Sequence, residues 1–215
     1  MLIPFTECIK ASGGQPFRGV LHIGAHLGEE GLDYSQNGVR HVSWVEGNRH
    51  LMKHLYDATR SLPLRQSYFC ELLSDVDGEH VQFNVTNNGQ SSSILPLGTH
   101  QKHYPHINVV EQRDLVTSRF DTFLKKNIVS VELENVDFVN LDVQGAELRV
   151  LKGFGLLFDH YKNIKAVYCE VNFEEVYVGA NLVADIDEYL GKFGFTRLLT
   201  KTTPYGWGDA LYLRK

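Results

Sequence analysis

Short apolar runs that stop at a glycine or an acid alternate with helix-like segments along most of this chain, and that alternation leaves few folds open. Gly19 to Ile23 reads as a strand ending at Gly24, followed by a helix over Glu29 to Gln36 that Asn37-Gly38 stops. His41 to Val45 is a second strand ending at Glu46-Gly47. Asn48 then caps a helix through Arg60, closed by Pro63. Leu64 to Leu73 is a third strand. Val136 to Asp142 is apolar except for Asn140, and a helix follows from Ala146 to about Phe158. Lys165 to Val171 is another strand, and Leu182 to Phe193 a helix with one apolar packing face. Such alternation builds a largely parallel sheet covered on both faces. Two last strands, Phe195 to Lys201 and Asp209 to Arg214, are joined by Thr202 to Gly208 without a helix, so they pair antiparallel.

The middle departs from this pattern. Val81-Gln82-Phe83-Asn84-Val85 alternates strictly and reads as a strand of an antiparallel insertion. Gly89 to Ser93 is a loop, His100 to Ile107 is irregular, and Arg119 to Asn127 is a short helix. No repeat or linker interrupts the chain, so residues 1–215 form one domain with an insertion at 76–120. Hydrophobic residues make up 43% and charged residues 22%, which excludes wholesale disorder. No apolar run approaches the roughly 18–20 residues of a membrane span. Met1 to Lys10, with Pro4 and Glu7, lacks the basic and apolar regions of a secretory signal. Cys8, Cys70 and Cys169 form no CxxC pair, which fits a reduced, cytoplasmic setting. A net charge of −5 without a basic cluster argues against nucleic acid as partner.

In an open α/β sheet, ligands bind beyond the carboxyl ends of the strands. The first strand runs into Gly24-Ala25-His26-Leu27-Gly28-Glu29, where Gly24 and Gly28 let backbone approach a ligand and the next helix offers free N–H groups. Glu46, ending the second strand, can accept both hydroxyl protons of a ribose; a tight turn with a surface Glu is the plain alternative. A nicotinamide cofactor normally wants G-x-G-x-x-G, but His26 stands at the middle glycine position and would crowd a pyrophosphate. S-adenosylmethionine carries no phosphate, so one glycine bend suffices and the pattern favours the methyl donor. The terminal hairpin points the same way, toward a methyltransferase sheet.

Val136-Asp137-Phe138-Val139-Asn140-Leu141-Asp142-Val143-Gln144-Gly145-Ala146-Glu147, with Leu151 and Gly153 following, resembles the central motif of the FkbM family of methyltransferases. Supporting pieces occur in order: His22 to Gly28, Val45-Glu46, Leu73-Ser74-Asp75 with Asp77-Gly78-Glu79, and Gly89 to Ile94. Arg119-Phe120-Asp121, Glu170 to Tyr177 and Gly206-Trp207-Gly208-Asp209-Ala210 complete them. Gly47, Asn140 and Gln144 stand where the family often has Pro, Lys and Glu. The resemblance implies a Rossmann-like class I α/β fold. Its mostly parallel seven-stranded sheet would carry a C-terminal antiparallel hairpin and a β-rich insertion after the third strand. It implies an S-adenosylmethionine-dependent O-methyltransferase, with S-adenosylhomocysteine as product. The acceptor would be a sugar, glycan or other polyhydroxylated small molecule, and the chain could serve as one module of a larger biosynthetic protein. Carried over are Gly24, Ala25, His26 and Gly28 as the cofactor turn, Glu46 as ribose partner and Ser74-Asp75 as the adenine neighbourhood. Glu71 is the other adenine candidate. Asp142 would lie beside the methionyl part or the reacting centre.

Methyl transfer to a hydroxyl needs alignment of oxygen, methyl and sulfur, plus removal of a proton; alignment contributes about 7–11 kcal/mol and a base roughly 10²–10⁴-fold. Asp142 ends an apolar strand, where an unneeded carboxylate is costly, although a cap on the helix from Ala146 would also account for it. Glu170 ends another strand, with Asn172 on the same side. Asp209, between Trp207 and Tyr212, lines the same cleft or serves turn chemistry. His100, His103 and His106 form H-x-x-H-x-x-H, but Pro105 favours a loop and no metal site is assigned. One of them, His103 among the candidates, or His26, could act as base. The catalytic candidates are therefore Asp142, Glu170 and His103, and the acceptor side is expected at Ser92, His100, Gln144, Asn172, Tyr177 and Asp209. A nicotinamide oxidoreductase, a nucleic-acid methyltransferase and a binding domain without catalysis are the rivals.

Overall fold

The computed structural model describes residues 1–215. In chain order the strands are β1 (Gly19–Ile23), β2 (His41–Glu46), β3 (Arg65–Cys70), β4 (Leu73–Ser74), β5 (His80–Thr86) and β6 (Val109–Val116). Then come β7 (Ser118–Arg119), β8 (Phe138–Leu141), β9 (Ala166–Asn172), β10 (Phe195–Thr202) and β11 (Trp207–Arg214). The helices are α1 (Phe5–Ala11), α2 (Gly31–Gln36), α3 (Met52–Thr59), α4 (His100–His103), α5 (Phe120–Val131), α6 (Glu147–Gly153), α7 (Leu157–His160) and α8 (Val183–Gly191).

Seven strands form the sheet in the order β10-β11-β9-β8-β1-β2-β3. The five from β9 to β3 run parallel, and β11 pairs antiparallel with both β9 and β10, as the missing helix between the last strands requires. Period-2 alternation sends successive side chains to opposite faces. Leu21, Ile23, Val139 and Leu141 therefore join a 26-residue core under α5, α6 and α8, while Val20 and Phe138 join a 15-residue core on the other face. Asn140, the polar interruption in β8, is buried on that second side. Its amide donates to Tyr34 Oη at 2.7 Å, and Tyr34 meets His22 Nδ1 at 3.3 Å, so the interruption is satisfied inside the core.

Several expectations need correction. The third strand does not reach Leu73 unbroken: β3 ends at Cys70, and β4 turns out of the sheet to pair with β7. The helix from Ala146 splits into α6 and α7. His100 to Ile107 is not wholly irregular, because it begins with the single turn of α4. In the insertion β5 finds its antiparallel partner in β6. Helix α1, which the sequence reading passes over, tucks Phe5 and Cys8 into the second core. No helix is long and apolar enough to cross a membrane.

Candidate active site

A cleft of about 610 Å³ opens beyond the carboxyl ends of β1, β2, β8 and β9, roofed by the loop at 88–94 and the segment after α4. Its floor is set by a bend at Gly24. The N–H groups of Gly24 and Ala25 donate to Val45 O at 2.9 and 3.1 Å, folding the end of β1 over β2. Gly24 has φ +79°, and a Cβ there would lie 1.7 Å from the Asp142 carbonyl oxygen, so only glycine lets β1 and β8 end this close together. His26 continues the bend at φ 46° and donates its N–H to Glu46 Oε2 at 2.9 Å. Glu46 Oε1 accepts the Asn48 N–H at 2.6 Å, which fixes the carboxylate in the cleft wall. Burial raises the Glu46 pKa against the pull of these two bonds. His26 Nδ1 meets Glu29 Oε1 at 2.6 Å. Burial opposes charge on His26, but the bond and charge of Glu29 outweigh it and raise its pKa, while Glu29 is pushed down to about 2.

The next wall is a hydrogen-bonded joint at Gln144, held at φ 56°. Its Nε2 donates to Asp142 Oδ1 at 2.6 Å and Glu170 Oε2 at 3.1 Å, and its Oε1 accepts from Tyr177 Oη at 2.6 Å. Ser93 Oγ donates to the Gln144 carbonyl at 2.8 Å, tying the insertion to this joint. Asp142 follows the buried strand β8, and its residue is exposed to the cleft. The surrounding protein raises its carboxyl to about 6, helped by the charges of Asp209 and Glu30 and opposed by the Gln144 bond. Burial, then Asp142, Glu147 and Asp209, push Glu170 well above the usual carboxylate range. Glu147 is buried behind the loop, accepts the N–H groups of Val143 and Gly145 at 3.0 and 3.2 Å, and is raised to about 8 by burial.

The cleft thus brings together Gly24, Ala25, His26, Glu46, Glu71, Ser92, His100, Asp142, Gln144, Glu170, Tyr177 and Asp209. Five expected residues lie elsewhere. Gly28 packs against Leu55, Thr59 and Trp44. Ser74 and Asp75 leave the site because β4 turns away; Ser74 Oγ bonds Asp75 Oδ1, and the Asp75 carbonyl accepts from Arg119 Nη1 at 2.9 Å. His103 does not line the cleft: its Nε2 meets Glu174 Oε1 at 3.2 Å. Asn172 is buried beside Trp207 in the β9–β11 ladder and does not line the cleft. The three histidines diverge, and no group of three or more His, Cys, Asp or Glu is placed to hold a metal ion. Sequence reasoning missed Trp207 and Glu30 as lining residues, and also the Leu2 N–H, which donates to Asp209 Oδ2 at 2.5 Å.

The family model described as the methyltransferase FkbM domain matches residues 22–197, which include both the Gly24 bend and the Gln144 joint. The chain belongs to the FkbM methyltransferase family. No curated protein matches it significantly. This FkbM domain is similar in fold to magnesium protoporphyrin IX methyltransferase from Synechocystis PCC 6803, solved with S-adenosylhomocysteine bound. The two are 13% identical with a TM-score of 0.54, over 98% of this chain and 80% of the other. A SAM-dependent methyltransferase from Aquifex aeolicus gives 10% identity and a TM-score of 0.52, over 100% and 91%. A precorrin-6y C5,15-methyltransferase from Geobacter metallireducens GS-15 gives 10% and 0.51, over 98% and 86%. At such identities the likeness is one of fold, the Rossmann-like fold of S-adenosylmethionine-dependent methyltransferases.

Proposed function

We propose that this FkbM domain transfers a methyl group from S-adenosylmethionine to a hydroxyl of a polyhydroxylated small molecule, a sugar or glycan among them. The carrying observation is the placement of Asp142 at the strand ends, one backbone contact from the Gly24 bend and joined through Gln144 to Glu170. The residues present fit the cofactor. Glu46 keeps lone pairs free for ribose hydroxyls beyond its two backbone bonds, and Glu71 and Leu72 stand where the adenine neighbourhood falls once β4 has turned away. Neither Lys nor Arg lines the cleft, and the Met1 ammonium and His26 are already engaged by Glu30 and Glu29, so a pyrophosphate finds no unpaired cation, which disfavours a nicotinamide cofactor. Bound there, S-adenosylmethionine supplies a methyl group on a cationic sulfur, which the carboxylates suit.

The chain's own residues handle alignment and the proton. Asp142, held near pKa 6, is largely ionised at neutral pH and accepts the acceptor's hydroxyl proton. Gln144 keeps its second oxygen turned to the cleft by engaging Oδ1. Glu170 beside it accepts from Gln144 through Oε2 and offers Oε1 as an acceptor to a neighbouring hydroxyl. The loop at Ser91 to Ser93 lines the cleft and is tied to the Gln144 carbonyl through Ser93.

The test is Asp142→Asn, assayed by S-adenosylhomocysteine formation with a panel of sugars and polyols. Folding and S-adenosylhomocysteine affinity stay near wild type while turnover falls roughly 10²–10⁴-fold. Near-normal turnover makes Asp142 a structural cap and refutes its role as base.

A further inference from the structure

The cleft holds more negative charge than the cofactor needs, and the excess is grouped. Two of its acids already have cationic partners: Glu29 faces His26, and Glu30 takes the Met1 ammonium at 3.2 Å. Glu46 is held by backbone donors at the ribose end, and Glu71 accepts from the Ser118 hydroxyl. That leaves Asp142, Glu170 and Asp209 without an ion-pair partner: the Met1 ammonium is in contact with Glu30 and reaches Asp142 and Asp209 only through its field, and no lysine or arginine lines the cleft.

These three stand in a row on adjacent strands. Asp142 follows Leu141, the partner of Cys169, so it ends level with Glu170, and Glu170 is the register partner of Asp209 across β9 and β11. Register partners project from one face with Cβ atoms about 4.5–5.5 Å apart. Asp209 spends Oδ2 on the Leu2 N–H and the Tyr168 hydroxyl, and Glu170 spends Oε2 on Gln144. Oδ1 of Asp209 and Oε1 of Glu170 have no protein donor, and neither is sealed inside the fold. Beside them stands Trp207, whose ring face can take a cation.

A second feature of the cleft, in its roof, also lacks a partner. His100 is 7% exposed, packs its ring on Tyr177 at 5.5 Å, and has no hydrogen-bond partner for Nδ1. Burial and the neighbouring His103 and His106 lower its pKa, so it adds no positive charge and remains a neutral polar group for an uncharged hydroxyl.

We propose that the acceptor carries a protonated amine besides its hydroxyls, as an amino sugar or aminocyclitol does, with the ammonium seated between Glu170 and Asp209. This deepens the methyltransferase reading and rests on it. An ammonium offers three donors to the two open oxygens and relieves the repulsion along the row. Phosphorylated or carboxylated sugars would meet only like charge.

Calorimetric titration of the protein saturated with S-adenosylhomocysteine tests this, using D-glucose, D-glucosamine, D-glucuronic acid and 2-deoxystreptamine as probes. Glucosamine and 2-deoxystreptamine bind at least ten-fold more tightly than glucose, and glucuronate shows no binding. Glu170→Gln reduces that preference at least five-fold, and so does Asp209→Asn, while S-adenosylhomocysteine affinity and circular dichroism are unchanged. Glu170→Gln mimics the protonated acid and carries the test should Asp209→Asn not fold. Equal or tighter binding of glucose, no binding of either amine, or a preference that survives both substitutions overturns the proposal. Failure of S-adenosylhomocysteine itself to bind overturns instead the methyltransferase reading on which it rests.

Discussion

Replacing Gln144 by glutamate exchanges the amide that donates to both Asp142 and Glu170 for a third carboxylate. No lysine or arginine lines the cleft to neutralise it, so the variant escapes by holding one more proton than wild type. Keeping a glutamate of ordinary pKa protonated costs about 1 kcal/mol at pH 5 and about 3.7 kcal/mol at pH 7, an increment of about 2.6 kcal/mol. The sign follows from linkage: the folded variant binds a proton that its unfolded chain has released, so its stability falls as pH rises. Loss of one charge-assisted bond adds roughly 1.5–3 kcal/mol that does not depend on pH. Urea unfolding of wild type and Gln144→Glu at pH 5 and pH 7 isolates the first quantity as a difference of differences. A destabilisation equal at both pH values refutes the claim that Gln144 holds two carboxylates apart, and with it the electrostatic account of the cleft.

Other perturbations follow from the same geometry. Gly24→Ala drives a Cβ onto the Asp142 carbonyl and costs, from the left-handed backbone alone, about 1–2 kcal/mol; a thermal midpoint within a degree of wild type contradicts the close approach of β1 and β8. Glu46→Ala removes the acceptor of two backbone N–H groups and, on the proposed reading, of the ribose hydroxyls, and is expected to weaken S-adenosylhomocysteine binding by about 1.5–3 kcal/mol per lost bond. Unchanged affinity in a folded variant removes Glu46 from the cofactor site. Glu147, at about 8 against an ordinary 4.5, carries a stabilising proton that is fully present below pH 4.5 and lost as pH rises through 8. Glu147→Gln, which mimics the protonated acid, should match wild type near pH 4.5 and exceed its thermal midpoint at pH 8. Parallel curves contradict the buried charge.

How much of this could be read in advance depended on whether a contact leaves a local mark. β1, β2, β8 and β9 are fully buried; the first three run directly into Gly24, Glu46 and Asp142, and Glu170 follows the apolar run of β9 two residues before its end, so an apolar run followed by a glycine or acid located most of the site. The break after Cys70 carries no glycine or proline, and β3 and β4 therefore read as one strand, whereas β4 leaves the sheet and takes Ser74 and Asp75, expected at the adenine from the family resemblance, away from the cleft. β6 is open along most of its length and has no apolar period to reveal it. His100 and His103 share a single helical turn; which one faces Tyr177 and which meets Glu174 is decided by packing across the cleft. Leu2 reaches Asp209 from the other end of the chain, a contact that no spacing rule can announce.

Calorimetric titration of the purified protein with S-adenosylmethionine, S-adenosylhomocysteine and NAD tests the central claim most directly. One molecule of either sulfur cofactor per chain, with no heat from NAD, is the predicted result. Binding of NAD alone, or of none of the three by a folded sample, contradicts the assignment of this cleft to methyl transfer.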